Sequence, residues 1–161
     1  MKAVTFKNNV LDMAGVLHLP AGFDEAATWP AIVCVHPGGG VKEQTVGKYA
    51  ERLAREGYVA LVYDASCQGE SGGEPRFQED PYARVEDVRA AVDYLTTLAF
   101  VDADRIGVLG VCAGGGYAVH AALTDHRIKA VGGVSSVNIG DMFRRGWRND
   151  QDPASAIGLL E

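Results

Sequence analysis

The chain has few cysteines, little basic charge and no long hydrophobic run. Its 161 residues contain 3 cysteines, and no apolar stretch approaches the ~20 residues that span a bilayer. The first residues, from Met1 to Phe6, lack the apolar region of a secretory signal peptide. A small, odd number of cysteines favours reduced thiols. We therefore expect a cytoplasmic protein that does not bind membranes.

Basic residues are outnumbered, because 15 Lys and Arg face 21 Asp and Glu, which gives a net charge of −6. An acidic chain is a poor partner for nucleic acid, so we expect none. The apolar content of 47% is typical of a globular protein. No Cys/His spacing resembles a zinc site, and we expect neither a metal nor a cofactor. Residues 1–161 are predicted to form a single domain.

Nucleotide binding is a weak alternative. Cys112 interrupts the first glycine pair that a G-x-G-x-x-G motif would need, and no later glycine completes that motif. Gly47 and Lys48 are followed by Tyr49 rather than by Ser or Thr, so there is no phosphate-binding P-loop.

The segment Gly-Val-Cys-Ala-Gly at residues 110–114 is the most informative part of the sequence. It follows an apolar run and precedes a stretch of small residues, which predicts a strand, a sharp turn and a helix. Gly110 and Gly114 suit this turn because bulkier residues would collide there. A helix that begins at Ala113 favours the thiolate form of Cys112. The alternative is a glycine-rich turn that contains an inert, buried cysteine.

Two further apolar strands end in distinctive loops. Residues 31–35 lead into His36-Pro37-Gly38-Gly39-Gly40, and residues 59–64 lead into a loop that contains Gly69-Glu70-Ser71. Glycines after a buried strand allow backbone N–H groups to approach a substrate closely. Cys34 lies inside the first of these strands and is interpreted as structural, whereas Cys67 lies in the second loop without a sharp turn.

Together the three motifs resemble those of α/β-hydrolases of the dienelactone-hydrolase type, over residues from about 10 to 145. This resemblance implies an α/β fold with a mostly parallel sheet. It implies that Cys112 is a nucleophile for a small ester, lactone or thioester. The N–H groups of Ala113 and of Gly38 or Gly39 would stabilise the oxyanion. His36 and Tyr117 are the candidate substrate-binding residues.

The pattern along the chain predicts alternating strands and helices. Strands are expected at residues 3–7, 14–19, 31–35, 59–63, 105–111 and 128–134, the first two as antiparallel edge strands. Helices are expected around residues 46–54, 83–98 and 113–125. The charged side chains of the second helix, Asp87 among them, are interpreted as solvated surface.

The resemblance breaks after residue 134, where the family normally adds further strands that carry the acid and the histidine of a triad. We therefore expect a sheet that lacks its last strands, with residues 128–134 forming an open apolar edge through which the chain self-associates. His18, His36, His120 and His126 are all interpreted as structural, and Asp141 is not taken as the acid. A catalytically incomplete fragment or a degenerate, non-enzymatic relative remains the alternative to an active hydrolase.

Overall fold

A computed structural model describes residues 1–154 of the chain. The elements in chain order are β1 (Lys2–Asn8), β2 (Leu11–His18), β3 (Trp29–Val35), α1 (Thr45–Arg55), β4 (Val59–Tyr63), α2 (Pro81–Thr96), β5 (Val101–Val111), α3 (Ala113–Thr124), β6 (Ile128–Val134) and α4 (Ile139–Arg145). These elements confirm the predicted α/β class. The short helix α4 was not expected from the sequence.

The strands form one sheet in the order β1-β2-β4-β3-β5-β6. Strands β4, β3, β5 and β6 run parallel, whereas β2 is antiparallel to both β1 and β4. The antiparallel pairing of the first two strands is confirmed. Their placement at the edge is correct only for β1, because β2 is an interior strand whose second partner the local sequence pattern does not reveal.

Helices cover both faces of the sheet, because the central strands are apolar on both sides. On one face, Val46 and Ala50 of α1 pack with Cys34 and Ala60. On the other face, α2 and α3 pack side by side over a larger core. Gly57 ends the turn after α1 with a φ of 91°, and its N–H donates to Ala54 O.

The sheet order places a topological switch point between β3 and β5. From β3 the chain moves to β4 on one side, and from β5 it moves to β6 on the other side. Loops that follow two such neighbouring parallel strands leave in opposite directions and open a crevice at their carboxyl ends. The loop after β3 and the turn after β5 are two of the three segments that the sequence singled out.

Helix α2 carries two buried charges, and for one of them, Asp87, the sequence predicted a solvated position. Asp87 is completely buried and accepts hydrogen bonds from Asn8 Nδ2 at 2.7 Å and from Ser66 N at 2.8 Å. Burial raises the pKa of this carboxyl group. Arg84, one turn earlier, is 1% exposed. The prediction for Asp87 is wrong because strand β1 and the loop after β4 cover this part of the helix.

The outer edge of β6 is open within residues 1–154, since β5 is the strand that pairs with it there. Val131 on β6 is 39% exposed. Two apolar residues of the neighbouring helix α3, Val119 and Leu123, are also exposed. Among the described residues, no helix combines the length and the apolar character needed to cross a lipid bilayer.

Candidate active site

Cys112 lies at the turn between β5 and α3, with φ 56° and ψ −120°. A positive φ is strained for a residue with a side chain and needs support from its surroundings. That support comes from three hydrogen bonds. Cys112 N donates to Val134 O at 3.0 Å, and Cys112 O accepts from Gly115 N at 3.0 Å and Val137 N at 3.1 Å. The backbone on both sides of the turn therefore holds the thiol at the carboxyl end of the sheet.

Glycine is required on both sides of this turn. A Cβ added to Gly110 would lie 2.1 Å from Gly114 O. A Cβ added to Gly114 would lie 2.3 Å from Val35 O and 2.6 Å from His36 O. The close approach that the sequence pattern predicted thus exists, and it presses the start of α3 against the end of β3.

The glycine loop, residues 36–40, follows β3 and contacts this turn. Pro37 O accepts from Gly40 N at 3.0 Å, and Gly39 takes a φ of 65°, so the loop is a tight turn that needs glycine at that position. A Cβ on Gly38 would meet the Ala113 Cβ at 3.6 Å, an ordinary contact distance. The Gly38 backbone therefore lies beside the N-terminus of α3.

The backbone donors at this junction differ in their partners. Gly39 N donates to Glu79 Oε2 at 3.3 Å. Within residues 1–154, neither the Gly38 N–H nor the Ala113 N–H has a protein acceptor. Of the two glycines predicted to act with Ala113, Gly38 is the one whose N–H is available.

Asp64, at the end of β4, ties the second loop to the glycine loop. Its carboxylate accepts from Lys42 N at 2.8 Å, Lys42 Nζ at 2.7 Å and Glu70 N at 2.9 Å. Its own carbonyl accepts from the Ser71 hydroxyl at 2.6 Å. A Cβ on Gly69 would lie 2.3 Å from this carboxylate. The residues of the Asp and Gly-Glu-Ser pattern therefore have a structural role, because their hydrogen bonds connect the loop after β4 to the residues that follow the glycine loop.

The structure places the His36 ring inside the protein. His36 is fully buried, and its Nε2 accepts from Ala65 N at 3.1 Å. The proton is therefore on Nδ1, which donates to Pro37 O at 2.7 Å. Because both ring nitrogens bind backbone groups, the ring shapes the glycine loop, and a substrate contact of His36 stays a prediction.

Burial, followed by the charge of Arg84, lowers the pKa of His36 from 6.5 to about 4. An unfolded chain takes up this proton near pH 6.5, whereas the folded chain does not until about pH 4. Stability from this group is therefore present above pH 6.5 and lost as pH falls towards about 4, by up to about 3 kcal/mol. We expect His36→Gln to flatten this part of the pH dependence in urea unfolding, and the exposed His126→Gln to leave it unchanged. Equal curves for wild type and His36→Gln would contradict the prediction.

Tyr117 belongs to a polar cluster next to the glycine loop. Its hydroxyl donates to Glu79 Oε1 at 2.9 Å, and the Arg84 guanidinium lies 4.8 Å from its ring centroid. Tyr117 is 4% exposed and borders a groove of about 530 Å³ between α2, α3 and the segment after β6. Its hydroxyl is therefore engaged by the protein, and one side of the residue faces an apolar cleft.

Glu79 and Arg84 were missed by the sequence analysis. Glu79 lies in a polar segment without a motif, and nothing in the local pattern marks it. Arg84 carried a signal, because it occupies the same helical stripe as Val88, Ala91 and Leu95, which are all fully buried. A cation in an apolar stripe implies a buried partner.

The histidines do not provide a base for Cys112. His18 is buried in β2. His120 is exposed about two turns into α3, and His126 is exposed just beyond the end of that helix. Within residues 1–154, no histidine hydrogen-bonds to the Cys112 thiol. Asp141 forms an ion pair with Arg144 at 2.9 Å within α4. Among the described residues, no cluster of three or more His, Cys, Asp or Glu side chains is arranged to hold a metal ion.

The three thiols differ in environment. Cys34 is fully buried, and burial raises its pKa to about 12. Cys67 and Cys112 are both partly exposed and free. We expect iodoacetamide to label Cys112 first, which peptide mass spectrometry would show. Faster labelling of Cys34 would contradict the assignment.

The model of the dienelactone hydrolase family matches residues 13–134, which include both glycine-bearing turns. The chain belongs to the dienelactone hydrolase family. It is 54% identical over 154 residues to the protein YcjY of Escherichia coli (strain K12), an alignment that covers 96% of this chain and 50% of that relative. It is also 35% identical over 105 residues to the thiohydrolase aneE of Aspergillus aculeatus, covering 65% of this chain and 33% of that enzyme.

A solved structure agrees with the fold. The crystal structure of protein PA2218 from Pseudomonas aeruginosa superposes with a TM-score of 0.93 at 38% identity, covering 99% of this chain and 50% of that one. The chain thus spans half the length, or less, of these three proteins.

Proposed function

We propose that this hydrolase-family chain supplies the nucleophile and the oxyanion donors for cleavage of a small ester, lactone or thioester. The main support for this proposal is the junction of the two glycine-bearing turns. There a thiol at a strained turn lies next to two backbone N–H groups, of Ala113 and Gly38, that have no protein acceptor in the described part of the chain. Two relatives are named thiohydrolases, which supports a thioester among the candidate substrates.

The chemistry follows from these groups. The Cys112 thiolate attacks the carbonyl carbon, and the carbonyl oxygen becomes an oxyanion that accepts from the N–H groups of Ala113 and Gly38. The oxyanion collapses, the bond to the leaving oxygen or sulfur breaks, and the acyl group stays on Cys112. Water then releases the acyl group, a step that needs a general base.

The site suits a small carbonyl substrate. Nucleic acid is disfavoured as a partner, because the chain has a net charge of −6. The free thiols fit a reducing compartment, and we place the protein in the cytoplasm on that basis. Tyr117 is proposed to contact the substrate from the side of the apolar cleft.

Self-association through the open edge of β6 is proposed as well. Unpaired backbone groups along an apolar edge strand are a template for another chain. A monomer at all concentrations in analytical ultracentrifugation would contradict this.

The proposed function is tested by acylation with p-nitrophenyl acetate. We expect one acetyl group on Cys112 in intact and peptide mass spectra, and none in Cys112→Ala. Acetylation of Cys67 instead would refute Cys112 as the nucleophile. The incomplete-fragment alternative predicts acylation without further turnover, and the non-enzymatic alternative predicts neither.

Gly38→Val is expected to slow this acylation by roughly 10²–10³-fold, the usual cost of one lost oxyanion donor. The Cβ finds ordinary contacts at 3.6 Å, so the fold is retained, but the two methyl groups fill the space next to Ala113. Gly38→Ala, which lacks those methyl groups, should lose less. Stopped-flow release of p-nitrophenol measures both, and an unchanged rate for Gly38→Val would remove the oxyanion role from this loop.

A further inference from the structure

Glu79 joins three separate elements through one carboxylate. Its Oε2 accepts from Gly39 N of the glycine loop at 3.3 Å. Its Oε1 accepts from Arg84 Nη1 of α2 at 2.7 Å and from the Tyr117 hydroxyl of α3 at 2.9 Å. The Glu79 side chain is 29% exposed, so these contacts are partly shielded from water. No motif of the sequence and no part of the proposed mechanism uses this residue.

Arg84 holds the other end of the same loop. Its Nη2 donates to His36 O at 2.8 Å while its Nη1 binds Glu79. Because Arg84 is 1% exposed, its charge depends on Glu79 for compensation. The two side chains therefore bind the glycine loop at both ends. Arg84 binds His36 O and Glu79 binds Gly39 N, and Gly38 lies between these two positions.

The carboxylate also lies close to Gly38 itself. A Cβ on Gly38 would meet Glu79 Oε1 and the Ala113 Cβ at the same distance of 3.6 Å. The contact to Gly39 commits that N–H to the protein, so Gly38 N–H is left to act with Ala113 N–H. We propose that Glu79 is a positioning residue that holds the glycine loop so that Gly38, and not Gly39, donates to the oxyanion.

This inference rests on the proposed function, and two reactions of the same thiol separate the roles. Acylation by p-nitrophenyl acetate passes through an oxyanion, whereas alkylation by iodoacetamide does not. A glutamine at position 79 turns an NH₂ group towards either Gly39 N or the Arg84 and Tyr117 donors. Because an NH₂ group cannot accept a hydrogen bond, at least one of the contacts is lost. We expect Glu79→Gln to slow acylation of Cys112 about tenfold or more, and to change alkylation less than about twofold.

Matched variants make the comparison specific. Tyr117→Phe removes one of the three donors to Glu79 and should also slow acylation, but by a smaller factor than Glu79→Gln. Glu86→Gln, on the exposed side of α2, alters an ion pair with Arg89 only and should leave both rates unchanged. Equal losses in acylation and alkylation for Glu79→Gln would mean that the residue merely supports the fold, which would overturn the proposal.

Amide hydrogen exchange tests the positioning independently of catalysis. We expect the Gly39 amide to exchange about three- to tenfold faster in Glu79→Ala, which removes the acceptor altogether, than in wild type, as the loss of one hydrogen bond predicts. Unchanged exchange at Gly39 overturns the inference whatever the acylation rates are. A wild-type Cys112 that is never acylated overturns the proposed function, and with it the role of the loop in binding an oxyanion.

Discussion

Replacing Gly110 with alanine is expected to lower the free energy of unfolding by about 3 kcal/mol or more. This loss should exceed that of any other glycine-to-alanine replacement in β5. The new Cβ would lie 2.1 Å from Gly114 O, and a backbone oxygen at the start of a helix cannot move aside. Gly114→Ala should behave in the same way, because its Cβ would lie 2.3 Å from Val35 O. Urea unfolding followed by circular dichroism measures both changes.

Gly107 provides the matched control on the same strand. A Cβ there would approach nothing closer than Ala130 O at 3.4 Å. Gly107→Ala should therefore change the free energy of unfolding by no more than about 1 kcal/mol. Similar losses for Gly107→Ala and Gly110→Ala would show that the turn is not the cause.

The 161-residue chain is expected to release one equivalent of p-nitrophenol per Cys112 and then to stop. Acylation needs only the thiolate and the two N–H groups, but deacylation needs a base that activates water. His36 cannot serve, because both of its ring nitrogens bind backbone groups and its pKa is lowered to about 4. The exposed His120 lies eight residues after Cys112, about 12 Å along the axis of α3, and the exposed His126 lies beyond the end of that helix.

A burst without turnover also separates the two thiols that are partly exposed. Cys112→Ala should abolish the burst, whereas Cys67→Ser should retain its full amplitude. Sustained turnover by the purified monomer would contradict the prediction, because it would require a base within this chain that the described residues do not contain.

The positions of the strands and of the two glycine-bearing turns were predictable from the sequence. Apolar runs at 31–35 and 59–63 correspond to β3 and β4, and the run at 128–134, which Lys129 interrupts, corresponds to β6. The runs of β3 and β4 are mostly buried between the helices on the two faces of the sheet, so both faces of these strands are apolar, whereas most of β6 is exposed or partly exposed. The turn at Cys112 was predictable as well, because only glycine fits beside it.

The polar cluster around the site was not predictable. Glu79, Arg84 and Tyr117 come from a loop and two helices. The sequence around each of them does not indicate that it contacts the other two. Asp87 was misassigned for the same reason, since the strand and the loop that bury it lie 79 and 21 residues away along the chain. Hydrogen bonds between distant segments depend on how the elements pack, and periodicity reports only which face of an element is apolar.

Local sequence thus specified the elements, the strained cysteine turn and the glycine loop, because backbone sterics and hydrophobic burial act within a few residues. The order of the strands, the interior position of β2, the burial of His36 and the choice between Gly38 and Gly39 emerged only from packing. Each of these depends on contacts across the sheet or between its loops. Which N–H groups point at a substrate is a property of the assembled switch point between β3 and β5.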